Sequence, residues 1–333
     1  MRTAPGDFGP GRLRPLLRDR WGLAVARFDY QPVGFGSHHW TGTSQAGRRW
    51  FVTADDLAVR RHYAGEPAAA ALARLRAALA AAADLRDSGV AIAVPPVAAR
   101  DGELAVPAGG RYAVAVYPFL DGRSFSWGDF TAPGHREALL DLVVAVHTAP
   151  AAARRRAGAD DFSIPHRDEL TAALRPGATV PDCGPWAGPA ARLLAGHAAG
   201  LARGLARYDA LARSARRDPA GPGRRVLTHG EPHPGNTMLT ADGWRLIDWD
   251  TALVAPPERD LWDIDPGDGS LLRRYAAATG TQPRPALLEL YRLRWDLADI
   301  AESVSQFRAP HGGSEDDAIS FGLLAGMLAR TAR

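Results

Sequence analysis

The sequence predicts an α+β chain with two lobes: a small lobe built on an antiparallel sheet with one long helix, then a larger helical lobe. Three observations support this. Short alternating segments separated by turns fill the first third of the chain, segments with helical spacing of apolar residues fill most of the rest, and the change falls near residue 119. The length of 333 residues suffices for two lobes, so we place an N-lobe at 1–118 and a C-lobe at 119–333.

The N-lobe is expected to consist of short strands joined by turns, with two helices. The predicted strands are Ala24–Tyr30, Trp40–Thr43, Arg49–Thr53, Ala91–Val97, Glu103–Pro107 and Arg111–Leu120, and the helices are Leu13–Trp21 and Pro67–Arg86. Between the first two strands, Gly34 and Gly36 would let the backbone lie close to a bound group such as a phosphate chain. Glycines of this kind are also typical of an ordinary hairpin.

The C-lobe is expected to be mainly helical, because its apolar residues recur three or four positions apart. The predicted helices are His135–Thr148, Pro189–Arg216, Leu271–Thr279, Arg284–Phe307 and Asp316–Ala332. The Pro/Gly-rich stretches between them are loops, too short to be independent domains.

Composition narrows the class of protein. The apolar content of 46% is typical of a globular core, and the net charge of +3 is only mildly basic. All 40 positive residues are arginines, as in proteins of high-GC genomes, and the densest run, Arg154–Arg156, is predicted to be a solvated helix face. Nucleic acid is therefore not an expected partner.

Nothing in the sequence predicts secretion or a membrane partner. The single cysteine, Cys183, allows no disulfide within the chain. The N-terminus has no apolar segment of signal-peptide length, and no run approaches a membrane span. We expect a cytoplasmic protein.

Six polar residues occur close together between Val226 and Asp263 and form two groups, separated by the strand-like run Trp244–Ile247. The first group is His229, Glu231, His233 and Asn236, and the second is Asp248 and Asp250. A hairpin would bring both groups together. Carboxylates and an amide in one place are suited to metal-assisted phosphoryl transfer, in which one residue orients the nucleophile and oxygen ligands hold Mg²⁺ on the phosphates.

These residues resemble the motifs of a known family. Thr228–Asn236 (THGEPHPGN), followed by Leu246–Asp250 (LIDWD), resembles the aminoglycoside phosphotransferase family. That family shares the protein-kinase-like fold with choline and homoserine kinases. The order of elements agrees over nearly the whole chain, and the residue pattern is specific between about 226 and 263. The resemblance implies a kinase-like fold, Mg²⁺, and ATP or GTP as co-substrate.

The resemblance also implies roles for individual residues of the C-lobe. Glu231 stands at the position of the catalytic Asp, which orients or deprotonates the attacking hydroxyl. Asn236 and Asp248 match the metal ligands, and Asp250 matches the second acid of that motif. His229 is expected to brace the catalytic loop. Asp260 falls in the later Asp-Leu pair and is expected to hold the loop from below.

In the N-lobe the resemblance places the nucleotide. Gly34–His38, with Gly34, Gly36 and Ser37, lines up with the loop that covers the phosphates. Tyr117–Leu120, with Tyr117 and Phe119, lines up with the hinge that binds adenine through backbone groups. Thr53 stands where the family has the lysine of its third strand.

Three departures from the family pattern matter. Glu231 is one methylene longer than Asp, which puts the positioning of the nucleophile at risk. Thr53 cannot supply a cation, and the chain has no lysine; an arginine such as Arg49, Arg60 or Arg61 would have to reach in. The helix Pro67–Arg86 has no acid near its middle, so both partners of the usual Lys–Glu pair are missing. Loss of both leaves no unpaired buried charge.

A row of acids on the predicted helix Arg284–Phe307 has two interpretations. Asp296, Asp299 and Glu302 are three residues apart and share one helix face. In the family, acids of the late helices line a pocket for cationic substrates; the alternative is a solvated face. Trp295, like Trp262, either lines that pocket or packs in the core.

Two smaller questions concern the histidines. His233 is expected to have a structural role. A zinc site formed by His229, Glu231 and His233 is an alternative, but the oxygens of Asp248 and Asp250 favour Mg²⁺.

The sequence therefore predicts an ATP- or GTP-dependent O-phosphotransferase that acts on a hydroxyl of a small polar molecule, such as an aminoglycoside-like or other antibiotic. One alternative is a catalytically weak, kinase-derived protein that binds nucleotides or small molecules. The other is a metabolic kinase for a choline- or homoserine-like substrate.

Overall fold

The structure is a computed structural model that describes residues 1–34, 36–128 and 130–331. Phe35 of the predicted phosphate-covering loop and Ala332 at the end of the last predicted helix lie outside the described residues.

Helices and strands follow the predicted order. The helices are α1 (Pro10–Trp21), α2 (Ala68–Asp87), α3 (His135–His147), α4 (Arg167–Ala173), α5 (Ala187–Arg217), α6 (Gly221–Arg224), α7 (Glu258–Leu261), α8 (Ser270–Thr279), α9 (Pro285–Arg308) and α10 (Glu315–Thr331). The strands are β1 (Val25–Gln31), β2 (Ser37–Ser44), β3 (Arg49–Asp56), β4 (Val106–Ala108), β5 (Tyr112–Pro118), β6 (Gly122–Ser124), β7 (Gly158–Ala159), β8 (Val226–Thr228), β9 (Thr237–Thr240), β10 (Gly243–Leu246) and β11 (Leu253–Ala255).

The first five strands form one antiparallel sheet in the order β1-β2-β3-β5-β4. Side chains alternate between its faces, as the period of two requires. On one face, Val114 and Val116 pack with Leu13 and Leu17 of α1. On the other face, neighbouring residues of β5 pack with α2. Each helix therefore buries one face of the sheet.

The predicted strand Ala91–Val97 is wrong. The segment begins with a turn and then has no regular structure, and one isolated bridge joins Ala93 to Leu246 of β10. Pro95 and Pro96 lack backbone N–H groups, which removes two ladder donors and prevents a regular strand. The strand expected at Glu103–Pro107 is shorter, because β4 begins only at Val106.

Arg154–Arg156 is exposed as expected, but only Arg154 lies in a helical turn, the 3-10 turn Ala151–Arg154, and Arg156 forms an ion pair. Its guanidinium donates two bonds, of 3.0 and 2.7 Å, to one carboxylate oxygen of Asp84 in α2. Asp84 is buried, and a buried carboxylate requires such a partner. The pair fixes α2 against the helical part of the chain.

The chain leaves the five-stranded sheet at Pro118 and enters a second sheet, β10-β9-β6, at Gly122. A third small sheet has the order β7-β11-β8. Beyond them, α5 and α9 form the main helical core, in which Leu201 and Leu205 share a cluster with Leu297 and Ile300. Among the described residues, no helix combines the length and apolarity needed to span a membrane.

Candidate active site

The two polar groups of the sequence lie side by side. The loop after β8 leads through a 3-10 turn, Pro234–Asn236, into β9, and β10 returns antiparallel to it. The Ile247 N–H donates to the Asn236 carbonyl at 2.9 Å. This bond ties the end of the first polar group to the start of the second, so that residues 231–236 and 248–250 line one cleft.

Asp260 holds the loop that carries Glu231. Its buried carboxylate accepts bonds from the backbone N–H of His229 at 2.8 Å and of Gly230 at 2.7 Å, and His147 Nε2 lies 3.1 Å away. Burial opposes ionisation of Asp260, but the His147 hydrogen bond and charge, with that of Arg259, outweigh it and leave its pKa below the ordinary value.

His229 fixes the same loop to the second polar group. Its Nε2–H donates to the Ile247 carbonyl at 2.8 Å, and its Nδ1 accepts from the Glu231 N–H at 3.3 Å. Burial lowers the pKa of His229, which agrees with this neutral tautomer. Both ring nitrogens are therefore engaged by the backbone, and neither has a lone pair free for a zinc ion.

Glu231 lies half-buried at the mouth of this loop. Burial, then the charges of Asp250 and Glu302, raise its pKa to about 7, against the opposing charge of Arg259. A carboxylate with such a pKa is suited to accept a proton near neutral pH. The Asn236 Nδ2 donates to the Glu231 carbonyl at 3.0 Å, which leaves the amide oxygen of Asn236 outside that bond.

Asp248 faces the open cleft in a strained backbone conformation, with φ of 63°. Left-handed backbone at a residue other than glycine persists only where the surrounding structure imposes it, and it is common at functional sites. Reduced hydration inside the cleft raises the pKa of Asp248 well above its ordinary range, and the negative charges of Asp250 and Glu231 add to this effect. A cation between these carboxylates would relieve the repulsion.

The N-lobe supplies the opposite wall of the cleft. The C-lobe residues Asp248 and Asp250 line one pocket together with residues of the N-lobe. The N-lobe residues are Gly34, Ser37, His39, Thr53, Asp55, Leu75 and Tyr117. The register explains the grouping, because Ser37 pairs with Asp55 and His39 with Thr53 on neighbouring strands. Of the residues predicted for the nucleotide, Gly36 and Phe119 do not line this pocket.

This pocket contains polar atoms that need partners. The Thr53 hydroxyl and His39 Nδ1 are buried and make no hydrogen bond within the described part of the chain. Burial also lowers the pKa of His39 to about 4, so its ring is neutral. Buried polar groups are normally satisfied, so these atoms are consistent with a bound polar ligand. A nucleotide would fit this donor and acceptor set.

Sequence reasoning missed Asp55 and His39. A signal existed for both, since residues two apart on a strand share a face: Asp55 follows Thr53 on β3, and His39 follows Ser37 on β2.

Arg60 was one of three candidates for the missing cation, and none of the three lines the pocket itself. Arg60 contacts the lining residues Ser37, Asp55 and Asp250. Arg61 Nε is buried without a hydrogen-bond partner among the described residues. Arg49 pairs with Asp121 and lies 3.9 Å from the ring centre of Phe119, outside the pocket.

Arg60 reaches the cleft from the loop after β3. Its Nε donates to Asp55 at 2.8 Å, and its Nη2 contacts the Ser37 hydroxyl at 3.1 Å and forms an ion pair with Asp250. The charges of Asp55, Asp250 and Asp248 outweigh burial and raise the pKa of Arg60. An arginine of the small lobe thus touches the second polar group of the large one.

As the sequence shows, α2 has no acid near its middle. Glu66, just before the helix, instead pairs with Arg74 within it. Its buried carboxylate accepts a 2.8 Å bond from Arg74 of α2 and another of 2.8 Å from the His62 N–H. Arg74 Nη2 also donates to the Arg60 carbonyl at 2.9 Å. These contacts fix the backbone from which Arg60 projects.

The acidic row of α9 interacts electrostatically with Glu231. Reduced hydration, then the charges of Glu302 and Glu231, raise the pKa of Asp299 well above its ordinary range. Reduced hydration likewise raises the pKa of Glu302, although its side chain reaches solvent. Asp296 is farther along the row and pairs with Arg330 at 3.7 Å. Asp299 and Glu302 therefore form an acidic wall beside Glu231.

The remaining predicted residues lie at the margins of the cleft. The ring centres of Trp262 and Trp295 are 5.6 Å apart, and Trp262 packs on the α5–α9 core. His233 contacts Trp127 edge to face, and its Nδ1 is buried without a partner among the described residues. A larger cavity of about 700 Å³ lies elsewhere, against α5 and the start of α9, and none of the predicted site residues lines it.

The cleft supplies only part of the coordination shell of a divalent metal, so water or substrate oxygens would have to complete it. Among the described residues, no group of three or more His, Cys, Asp or Glu is arranged to hold one. Asp248 and the amide oxygen of Asn236 are oxygen donors of the kind Mg²⁺ prefers. Mg²⁺ commonly takes one or two protein oxygens and completes its shell with water and substrate phosphates.

Comparison with known proteins identifies the family. Residues 42–302 match the family model described as the phosphotransferase enzyme family. The chain is 32% identical over 242 residues to protein StrN of Streptomyces griseus, which covers 70% of each chain.

Solved structures share the fold. A spectinomycin phosphotransferase in complex with ADP and spectinomycin superposes with a TM-score of 0.70 at 17% identity, covering 98% of this chain and 99% of the other. An aminoglycoside phosphotransferase from Alicyclobacillus acidocaldarius gives a TM-score of 0.53 at 16% identity, covering 99% and 94%. These likenesses establish the kinase-like fold predicted from the sequence.

The family match spans most of the chain and includes both polar groups of the cleft, from Glu231 to Asp250. On these grounds the chain belongs to the phosphotransferase enzyme family and is a small-molecule phosphotransferase.

Proposed function

We propose that this enzyme transfers the γ-phosphate of ATP or GTP to a hydroxyl of a small cationic molecule, such as an aminoglycoside-like or other antibiotic, in the cytoplasm. The observation that carries the proposal is the position of Glu231. The Asn236 amide donates to the Glu231 carbonyl at 3.0 Å, and the Asn236 carbonyl accepts from the Ile247 N–H at 2.9 Å. The loop of Glu231 is thereby joined to the segment that carries Asp248 and Asp250.

The chemistry assigned to Glu231 follows from its surroundings. The acceptor hydroxyl oxygen forms a bond to the γ-phosphorus while the bond from that phosphorus to the β–γ bridging oxygen breaks. Glu231 orients the hydroxyl and takes its proton, for which a pKa of about 7 is suited. His229, Asp260 and Asn236 position the loop, because each bonds to its backbone.

Asp248 and Asn236 are the proposed ligands of Mg²⁺, which when bound would neutralise charge that develops on the phosphates. The strained backbone at Asp248 supports this assignment, because it turns the carboxylate towards the pocket that also contains Thr53 and Tyr117. Tyr117, Gly34 and Ser37 are the proposed walls of the nucleotide site. A role of Phe119 and Gly36 in nucleotide binding is supported only by the family resemblance.

The acceptor is proposed to be cationic because of the acids on α9. Asp299 and Glu302 lie where the site has reduced hydration and an excess of negative charge. An ammonium group would restore ionisation of both and hold its neighbouring hydroxyl near Glu231. Solved relatives in complex with spectinomycin or hygromycin B support an antibiotic of this kind.

The proposal is tested by incubating the enzyme with Mg·ATP or Mg·GTP and a panel of hydroxylated aminoglycosides, followed by mass spectrometry. We expect one compound of the panel to gain a single phosphate. Asp248→Asn and Asn236→Ala should abolish the gain, whereas Asp141→Asn, at an exposed ion pair on α3, should not. Unchanged transfer by both cleft variants would refute the assignment.

A further inference from the structure

The cleft lacks the lysine that its family uses on the third strand, and the structure offers a replacement. Thr53 occupies that position with its hydroxyl unpartnered, and the whole chain contains no lysine. Arg60 lies on the same wall, bound to Ser37 and Asp55 on the strand face that carries Thr53. We propose that Arg60 is the phosphate-binding cation of this enzyme, and that without nucleotide it is held on Asp55 and Asp250. This inference rests on the proposed function.

The environment of Arg60 favours a phosphate ligand. Ser37 follows the glycine turn that is proposed to cover the phosphates, and Asp250 and Asp248 lie below it in one pocket. Both Nε and Nη2 of Arg60 contact Asp55, and Nη2 also contacts Asp250. The guanidinium can keep its contacts to Asp55 and exchange that with Asp250 for phosphate oxygens. Its planar fork matches two oxygens at once, which a lysine cannot do.

Arg60 is fixed at its backbone, and its guanidinium is held by carboxylates on both sides of the pocket. Arg74 holds the Arg60 carbonyl, and Glu66 holds both Arg74 and the backbone of His62. The guanidinium is partly solvated, with about 20% of the side chain exposed. The loop therefore presents a preorganised arginine whose charged end can exchange one anionic partner for another.

The ion pair between Arg60 and Asp250 lies on the path of an entering nucleotide. It joins the two lobes across the pocket, and its partner Asp250 lies beside the proposed metal ligand Asp248. A nucleotide that enters must share or displace this ion pair. Phosphates should do so, because they offer more negative charge than one carboxylate, whereas a nucleoside without phosphates should leave the pair intact.

The test compares Arg60→Gln and Arg60→Lys with the wild type. The matched control is Arg76→Gln, since Arg76 is a half-buried arginine of α2 that bonds to Glu103 and the Ala105 carbonyl, away from the cleft. Dissociation constants are measured by calorimetry for ADP and adenosine without metal, and for Mg·ATP. The same series is run with guanine nucleotides.

Arg60→Gln should weaken binding of ADP by about tenfold or more, the usual effect of losing a charge-assisted bond. Adenosine binding should stay within about twofold, Arg60→Lys should fall between, and Arg76→Gln should resemble the wild type. Equal losses for ADP and adenosine would show a structural role and overturn the proposal, as would wild-type binding of ADP by Arg60→Gln.

A double variant separates direct contact from simple neutralisation of Asp250. If Arg60 contacts the phosphates, Arg60→Gln weakens ADP binding in the Asp250→Asn background as well. If Arg60 only neutralises Asp250, Arg60→Gln no longer weakens ADP binding in the Asp250→Asn background, and the proposal is wrong. Absence of metal removes any metal-binding role of Asp250 from the comparison. A wild type that binds neither adenine nor guanine nucleotides would instead refute the proposed function.

Discussion

Substitution of Asp260 by Asn should cost both stability and catalysis, because this buried carboxylate accepts three hydrogen bonds. Two come from the backbone of His229 and Gly230, at 2.8 and 2.7 Å, and one from His147 at 3.1 Å. An asparagine keeps one acceptor oxygen and presents an NH₂ group where the other oxygen was. At least one N–H then faces a donor and loses its partner.

The magnitude follows from these bonds. Loss of a charge-assisted bond together with one unsatisfied buried N–H costs about 3 kcal/mol. For the unfolding entropy of a chain of 333 residues, this corresponds to a drop in Tm of about 4 °C. The loop that carries Glu231 also loses the hydrogen bonds that hold it in place. A displacement of about 1 Å of Glu231, which orients the attacking hydroxyl, can lower kcat by about a hundredfold.

The assay combines thermal unfolding, steady-state phosphotransfer and nucleotide binding. We expect Asp260→Asn to lose kcat and Tm together while the dissociation constant of the nucleotide changes little. Asp141→Asn, which removes an exposed pair with Arg274, serves as control and should cost less than about 1 kcal/mol. An Asp260→Asn enzyme with wild-type Tm and kcat would refute the anchoring role.

Three further predictions concern the same site. Glu231→Gln, which keeps the shape but cannot accept a proton, should lower kcat by about a hundredfold or more with little change in nucleotide binding; equal kcat would rule out a role as base. Asp299→Asn combined with Glu302→Gln should raise KM for a cationic acceptor without changing the KM for nucleotide; a change confined to the nucleotide would contradict the acidic wall. The low pKa of Asp260 means that its stabilisation is complete above the ordinary Asp value of about 3.9 and is lost as the pH falls through the lower folded value. The stability difference between wild type and Asp260→Asn, followed by denaturant unfolding, should therefore shrink on acidification, and a difference that grows would contradict this sign.

Much of the fold could be predicted because its signals are local. Alternation in β1, the continuous apolar run of β5 and helical spacing in α3, α5 and α9 are all visible within short stretches of sequence. The error at Ala91–Val97 came from weighting apolar residues above Pro95 and Pro96. That segment is held by one bridge to Leu246 and by packing, a long-range arrangement that periodicity does not reveal.

The sequence predicted the C-lobe half of the cleft better than the N-lobe half. Glu231 to Asp250 lie within a short span, so that a hairpin alone brings them together. The N-lobe half depends on the register of β2 and β3 and on a loop that returns Arg60 to the sheet. Arg49, Arg60 and Arg61 are all close to Thr53 in the sequence, so the sequence alone did not show which of their side chains reaches the cleft. The direction in which a side chain leaves a loop depends on tertiary contacts, such as the bond from Arg74 to the Arg60 carbonyl.

The pairing of Glu66 with Arg74 shows the same limit. The absence of a mid-helix acid was readable from the sequence, and it indicated a rebuilt nucleotide site. That the new pair positions an arginine became visible only once both side chains and the Arg60 backbone were placed together.

The most direct test of the account is transfer of the γ-phosphate itself. The enzyme is incubated with Mg·ATP or Mg·GTP carrying a labelled γ-phosphate and with a cationic, hydroxylated antibiotic, and the label is located by mass spectrometry. The account predicts that the label appears on a hydroxyl of the acceptor with wild type and is absent with Asp248→Asn. Label that stays on the nucleotide across the whole panel, or that transfers equally with Asp248→Asn, would contradict it.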